Sequence, residues 1–269
     1  MKTVREICVT KKVIDVVVKG SSGNHKDKRA KRTNITAEKV AKNNERLSWR
    51  KLNNILNANC DKSWWHMTMT HRVAPNEKGA ERELKNCFRR ISRELKKSGK
   101  EFKWIVVTEY ENARIHHHVI TNADLDIVRD KWKSGIVLAR PLDDGPNYIR
   151  LAVYLIKETR KTFRNKNVNK MRYSHSRNLI IPEVKVETVS SRLLFSEPKA
   201  WKGYFIDKET VRRYVHPITG LEHLEYTMIS LDENPRVKKY YNGKKKKREN
   251  FKKYINSVEE QLSLLDGLA

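Results

Sequence analysis

Two histidines separated by a single residue lie in a short apolar stretch of the chain. Residues 114–120 read Arg-Ile-His-His-His-Val-Ile, and their β-branched residues predict a β-strand. Side chains alternate between the two faces of a strand, so His116 and His118 share one face while His117 lies on the other. Imidazole nitrogens are common ligands of divalent metal ions. The spacing therefore indicates part of a metal site, and replacement of His117 by alanine should be tolerated.

A carboxylate that could complete this site comes from the preceding apolar segment, residues 104–109. The two segments predict a β-hairpin. With a turn centred on residues 112–113, Glu109 lies directly opposite His116, at the Cβ separation of roughly 4.5–5.5 Å that is typical of cross-strand pairs. Glu111 is the weaker candidate, because the same pairing places it beside the turn.

Two imidazoles and one carboxylate leave coordination positions open. Such a set suits Mn²⁺ or Mg²⁺ holding a phosphate oxygen as well. No cysteine lies near the cluster in the sequence, which argues against a closed structural zinc site. The competing interpretation is a chance polar patch of histidines on an exposed strand. The strand alternation and the opposed carboxylate agree with each other, and they favour the metal site.

A tyrosine lies among cations in a later segment, residues 147–158, whose pattern predicts a helix. Arg150, Tyr154, Lys157 and Lys161 follow one another at spacings of four, three and four residues, which places them on one helix face. A phenol has an unperturbed pKa near ~10, and nearby positive charge favours the phenolate nucleophile. Tyr154 is the candidate nucleophile; the alternative is a half-buried aromatic residue beside solvated lysines.

Three ordered motifs of the chain resemble those of the HUH-superfamily rolling-circle replication initiators. The first is the threonine-containing strand at residues 65–70, the second is the pair His116 and His118, and the third is Tyr154 with Lys157 in a Tyr-x-x-Lys pattern. The chain is most similar to replication-associated proteins related to the gene II protein of filamentous phages. It departs from the family pattern between the two histidines, where the family commonly has a hydrophobic residue.

The resemblance implies a fold and an activity. The fold is α+β, an antiparallel β-sheet with helices on one face, as in the ferredoxin/RRM-like palm of HUH endonucleases. The element order strand–helix–strand–strand–helix independently favours such a sheet. The activity is site-specific nicking of single-stranded origin DNA, with a hairpin origin expected. Glu109, His116 and His118 would bind Mn²⁺ or Mg²⁺ at the scissile phosphate. Tyr154 would form a 5′-phosphotyrosine link and free a 3′-OH primer, with Lys157 assisting.

Two classes of rival function remain open on the sequence. A relaxase or a tyrosine transposase of the same superfamily would use similar motifs, although relaxases usually have three histidine ligands and Glu109 stands here in place of the third. A non-catalytic origin-binding or RNA-binding protein would carry the histidine cluster incidentally. The sequence does not distinguish a plasmid, a phage or an integrated element as the host replicon.

Composition favours a polyanionic partner. The chain has 269 residues, with 58 Lys plus Arg against 32 Asp plus Glu, which gives a net charge of +26. Such an excess is typical of nucleic-acid binding. The candidate DNA contacts are four cations on or after the tyrosine helix: Arg150, Lys161, Arg172 and Arg177.

The cysteines and the hydropathy pattern predict a cytoplasmic protein, and the resemblance implies the cytoplasm of a bacterial host. The three cysteines show no CxxC spacing, as expected in a reducing compartment. No apolar run reaches the length of a signal peptide or a membrane span, so neither export nor membrane insertion is expected. The chain also lacks a P-loop, so the host helicase and polymerase are expected partners.

Three regions are predicted along the chain: a basic N-terminal extension with a helix (1–60), the nicking domain (61–232) and a basic tail with a partner-binding segment (233–269). Within the tail, four residues resemble a motif that docks into the bacterial sliding clamp: Gln261, Leu262, Leu264 and Leu265. A terminal helix packing on the domain is the alternative for this segment.

Overall fold

The computed structural model describes residues 2–21, 38–110, 114–143, 145–160 and 171–232. Within these ranges the elements are, in chain order, β1 (Lys2–Val9), β2 (Val13–Ser21), α1 (Glu38–Asn59), β3 (Trp65–Thr70), α2 (Glu77–Lys97), β4 (Trp104–Glu109), β5 (His116–Thr121), α3 (Leu125–Lys131), β6 (Val137–Pro141), α4 (Ile149–Glu158), β7 (Ser174–His175), β8 (Val184–Val189), a 3-10 turn (Ser191–Leu194), β9 (Tyr204–Val215) and β10 (Glu222–Ser230). The strands form two antiparallel five-stranded sheets. The predicted α+β class with antiparallel strands is confirmed.

The sheet that carries the predicted motifs, here called the site sheet, has the strand order β6-β3-β5-β4-β7. Strand β5, with the histidines, lies in the centre between β3 and β4. Strand β4 spans Trp104–Glu109, the residues that the apolar segment predicts. A central strand is held by hydrogen bonds on both sides, so side chains on β5 have well-fixed positions.

Helix α2 shows how the apolar pattern sets the packing. Leu84, Phe88, Ile91 and Leu95 repeat at three- and four-residue intervals and are all buried, as an amphipathic helix requires. The helix begins at Glu77 because the preceding Asn76 side chain caps it, accepting from the Gly79 N–H at 2.7 Å. Such a cap satisfies a backbone donor that the first helical turn leaves open.

Helices cover both faces of the site sheet, which corrects the expectation that they lie on one face. Helices α2 and α3 pack on the face that bears Met67, Val106 and Val119. Helices α1 and α4 pack on the opposite face, against Ile105 and Ile120. The reason is that successive residues of β4 and β5 are apolar, so both faces of these strands must be covered.

The second sheet has the strand order β8-β1-β2-β10-β9. Its N-terminal strands β1 and β2 pair with strands β8 and β10 from the later part of the chain. Helix α1 lies against this sheet as well, where Arg50 donates to Asp15 at 2.6 Å and Arg46 pairs with Glu225. Helix α1 therefore contacts both sheets. The three predicted domain boundaries stay a prediction.

None of the helices in the described part of the chain is long and apolar enough to cross a membrane.

Candidate active site

The β4–β5 hairpin has the predicted register. Glu109 pairs with His116, and His118 lies between Val107 on β4 and Thr68 on β3. His116 and His118 therefore face the side of the sheet covered by α1 and α4. His117 faces the opposite side, among the residues packed by α2 and α3. The alternation predicted for the three histidines is confirmed.

Glu109, His116 and His118 converge on one point above the site sheet. Each offers one ligand atom, and these three atoms all lie within 4.8 Å of one another. The Glu109 carboxylate and the His116 Nε2 are 3.0 Å apart. Glu109 and His118 are buried, whereas His116 is partly exposed. The three predicted ligands are thus brought together, and Glu111 lies outside the described residues.

The chemistry of the triad fits a divalent cation. The Nε2 of His118 is buried and has no hydrogen-bond partner among the described residues, an arrangement that costs free energy unless another ligand satisfies the nitrogen. Burial, and then the charges of His66 and His116, lower the pKa of His118 to about 3. The ring is therefore neutral at physiological pH, which is the state that binds metal ions.

Tyr154 lies beside this cluster. Its ring centroid is 5.5 Å from that of His118 and 6.2 Å from that of His66, and both contacts are edge-on. The Tyr154 side chain is 43% exposed, although the helix that carries it is anchored by the buried Leu155 and Ile156. A rigid helix thus holds an accessible phenol next to the candidate metal ligands.

The local charges around Tyr154 differ from the expectation. Partial burial raises the pKa of Tyr154, the carboxylates of Glu158 and Glu109 raise it further, and Arg140 opposes them. The expectation that neighbouring cations of the chain make the phenolate favourable is therefore wrong. The reason is that burial disfavours the charged phenolate, and the carboxylates of Glu158 and Glu109 add to this effect.

The exposed face of α4 contains Arg150, Tyr154 and Lys157, as their spacing predicts. The Arg150 side chain is 91% exposed and lies 3.8 Å from Glu209 of β9. Lys161, the fourth member of the predicted face, lies outside the described residues.

The segment that contains the triad and Tyr154 matches a known protein family. Residues 64–163 match the family of replication-associated proteins of the ORF2 and gene II protein type. The match covers 100 of the 269 residues of the chain, and it makes this segment similar to that family. The segment contains β3, the triad and the Tyr154 helix, but neither the N-terminal strands nor β8–β10. No curated protein and no solved structure matches the chain significantly.

The segment that matches this family shares a cleft with the second sheet. The cleft has a volume of about 1290 Å³ and is lined on one side by His66, Tyr154 and Lys157. Residues of β9 and β10 line its other side, among them Thr210 and Arg212. The cleft wall contributed by the second sheet could not be inferred from the three motifs, because it comes from residues outside the matched segment.

The cations that follow α4 have different surroundings. Arg172 is partly buried and donates to the Thr159 hydroxyl at 2.9 Å. Thr159 is the C-terminal cap of α4, so Arg172 supports the end of the tyrosine helix. Arg177 is exposed. Contacts of Arg172 and Arg177 with DNA stay a prediction.

Two histidines near the site have contacts that the motifs do not indicate. His66 Nε2 lies 3.2 Å from His118 Nδ1, on the triad face of β3. His71 Nε2 lies 3.1 Å from His117 Nε2 on the opposite face. The two-residue spacing of His66 and Thr68 places both side chains on one face of β3. Thr68 pairs with His118 in the structure, so His66 lies on the face that carries the triad. The predicted clamp-binding segment, residues 261–265, lies outside the described residues.

Proposed function

We propose that the protein is a rolling-circle replication initiator, a metal-dependent endonuclease and ligase that nicks single-stranded origin DNA through Tyr154. The observation that carries the proposal is the position of Tyr154, 5.5 Å from the His118 ring, next to a triad of metal-ligating groups. Both features lie in the segment that matches the replication-associated family. A protein that only binds an origin has no need for this combination.

Glu109, His116 and His118 would hold Mn²⁺ or Mg²⁺. When bound, the ion polarises the scissile phosphate and stabilises the charge on the leaving oxygen. The Tyr154 phenolic oxygen forms a bond to phosphorus while the bond from phosphorus to the 3′-oxygen breaks. The phenol loses its proton, the released 3′-oxygen gains one, and the 5′-phosphate stays linked to the protein. The reverse exchange rejoins the strand without ATP.

Lys157 lies one helical turn from Tyr154 on the exposed face of α4. From there its ammonium group stabilises the negative charge that develops on the phosphate, or assists formation of the phenolate. The cleft that Tyr154 and Lys157 line is open to solvent, and its other cations include Arg140 and Arg150. The lining also includes acidic residues such as Asp207 and Glu209, so the phosphates of an unpaired strand are proposed to lie on the side of the cleft that carries Tyr154 and Lys157.

The free 3′-OH would prime synthesis by the host polymerase, with a host helicase opening the duplex. Recruitment of the sliding clamp through Gln261, Leu262, Leu264 and Leu265 is part of the same proposal. Deletion of residues 261–269 should separate this role from nicking, because it would remove clamp binding and leave strand cleavage unchanged.

The test of the function is a cleavage assay with the purified chain, Mn²⁺ and single-stranded oligonucleotides from the origin region of its own replicon. Nicking should release a 3′-OH fragment and leave the other fragment covalently attached to the protein, as a shifted band on a denaturing gel. Binding of these oligonucleotides without any cleavage or adduct would favour the non-catalytic alternative.

Alanine substitution of Glu109, His116 or His118 should each abolish cleavage and weaken Mn²⁺ binding. Loss of an outer-shell partner of a metal typically costs roughly 10–100-fold in affinity, so loss of a direct ligand should cost at least about 100-fold. Isothermal titration with Mn²⁺ measures this. His175→Ala is the matched control, because His175 lies in the same sheet on β7 and is not one of the triad. Unchanged Mn²⁺ affinity in the three variants would contradict the site.

Binding of single-stranded DNA should weaken steeply with salt. Each neutralised phosphate of a single strand contributes roughly −0.7 to the slope of log K against log salt concentration. Arg150→Ala should reduce this slope by about 0.7, since Arg150 is exposed on the face of α4 that bears Tyr154. Lys96→Ala is the control, an exposed cation on α2 across the sheet. Fluorescence anisotropy at several salt concentrations measures both, and a flat dependence would refute electrostatic binding in the cleft.

A further inference from the structure

His66 lies beside both the candidate ligand His118 and the candidate nucleophile Tyr154. It is on β3, two residues before Thr68, which pairs with His118 across the sheet. Its Nε2 is 3.2 Å from His118 Nδ1, and the two rings are 5.4 Å apart and tilted by 41°. The His66 ring also contacts the ring of Tyr154 edge-on. Nothing in the proposed chemistry uses this histidine directly.

The hydrogen bond constrains where the proton of His118 lies. A neutral imidazole has one N–H donor and one nitrogen acceptor. For the buried Nε2 of His118 to offer its lone pair to a cation, the proton must be on Nδ1. An Nδ1–H in this buried position needs an acceptor, and the nearest are His66 Nε2 at 3.2 Å and the Thr68 hydroxyl oxygen at 3.4 Å.

We infer that His66 is a positioning residue that accepts the Nδ1–H of His118 and so keeps the opposite nitrogen available to a divalent cation. This inference rests on the proposed function. Metal-bound histidines usually donate their second N–H to such a partner, which fixes both the tautomer and the ring orientation. Here the partner is itself a histidine on the neighbouring strand, and it must carry its own proton on Nδ1 in order to accept through Nε2.

The geometry argues against a role for His66 as a fourth ligand. The ligand atoms that lie within 4.8 Å of one another belong to Glu109, His116 and His118. His66 Nε2 contacts His118 Nδ1, whereas the His118 nitrogen that would bind a cation is Nε2. Its effect on a cation therefore passes through His118.

The first test is a Mn²⁺ titration of the full chain. His66→Leu should weaken Mn²⁺ binding by roughly 10–100-fold, the usual effect of losing an outer-shell partner. His66→Gln should restore most of the affinity, because the glutamine oxygen can replace Nε2 as acceptor. Thr68→Val removes the longer contact and should have a smaller effect than His66→Leu. A loss in His66→Leu as large as that in His118→Ala, without recovery in His66→Gln, would make His66 a ligand and overturn the inference.

The second test needs no metal. Long-range ¹H–¹⁵N spectra of histidine-labelled protein report which ring nitrogen carries the proton, and His118→Ala assigns the resonance. His118 should be protonated on Nδ1, and His66→Leu should shift the population towards Nε2–H. Protonation on Nε2 in the unaltered chain would refute the inference even if Mn²⁺ binds.

The two tests separate this inference from the proposed function. If the unaltered chain binds Mn²⁺ and nicks DNA while His66→Leu has unchanged affinity and unchanged tautomer, only the role of His66 is wrong. If the unaltered chain neither binds Mn²⁺ nor nicks, the proposed function fails, and the spectra still decide the His118 tautomer.

Discussion

Replacing Tyr154 with phenylalanine should abolish both nicking and the covalent protein–DNA adduct, while affinity for single-stranded DNA stays nearly unchanged. The substitution removes one oxygen from a side chain that is 43% exposed, so folding should be unaffected. Affinity comes mainly from the positive surface, because phosphate contacts dominate binding to nucleic acids. The adduct on denaturing gels measures the chemistry, and anisotropy measures the binding.

The matched control for this variant is Tyr148→Phe. Tyr148 immediately precedes the first residue of the same helix, and its hydroxyl donates to the Asp143 carbonyl oxygen at 3.5 Å. Its loss should leave the adduct intact. An adduct that persists in Tyr154→Phe and disappears in Tyr148→Phe would identify Tyr148 as the nucleophile.

The raised pKa of Tyr154 adds a further expectation: cleavage by the unaltered chain should increase with pH, because a larger fraction of the phenol is then deprotonated.

The sequence predicts the core of the candidate site well because that core is local. Glu109 and His116 lie in one hairpin, and alternation along two adjacent strands fixes which side chains face each other. Tyr154, Lys157 and Arg150 lie on one face of a single helix, which spacing alone determines. The family resemblance, confirmed for residues 64–163, adds that this helix lies across the sheet.

The parts of the site that the sequence does not predict depend on contacts between distant segments. The role of His66 appears only when β3 is paired with β5. The far wall of the cleft consists of residues of strands β9 and β10, which belong to the second sheet. The N-terminal strands β1 and β2 are part of the same sheet. The raised pKa of Tyr154 depends partly on Glu109, which belongs to another element. Spacing along one element contains no information about such pairs.

His117, on the other face of the histidine strand, is buried in a network of hydrogen-bonded side chains. Because His117 faces away from the triad, the sequence predicts that alanine is tolerated at this position. The structure shows that His117 is 0% exposed. Its Nδ1 lies 2.9 Å from the Thr108 hydroxyl and its Nε2 lies 3.1 Å from His71 Nε2. His71 in turn lies 2.8 Å from the Glu83 carboxylate. At the position of His117 the family commonly has a hydrophobic residue. In this protein His117 is instead part of a hydrogen-bonded series of side chains that packs beneath α2.

His117→Ala should therefore destabilise the fold by about 3–5 kcal/mol, because it leaves a cavity and removes the hydrogen-bond partner of a buried His71 nitrogen. In a chain of this size, 3 kcal/mol corresponds to a decrease in Tm of roughly 6–12 °C. Thermal unfolding followed by circular dichroism measures the change. His117→Gln should recover part of the stability, since its amide can reach His71. At low temperature the folded His117→Ala protein should bind Mn²⁺ with normal affinity, unlike the triad variants. A Tm within about 2 °C of that of the unaltered chain is no more than the shift expected for 1 kcal/mol. Such a result would show that the contact between His117 and His71 contributes little to stability.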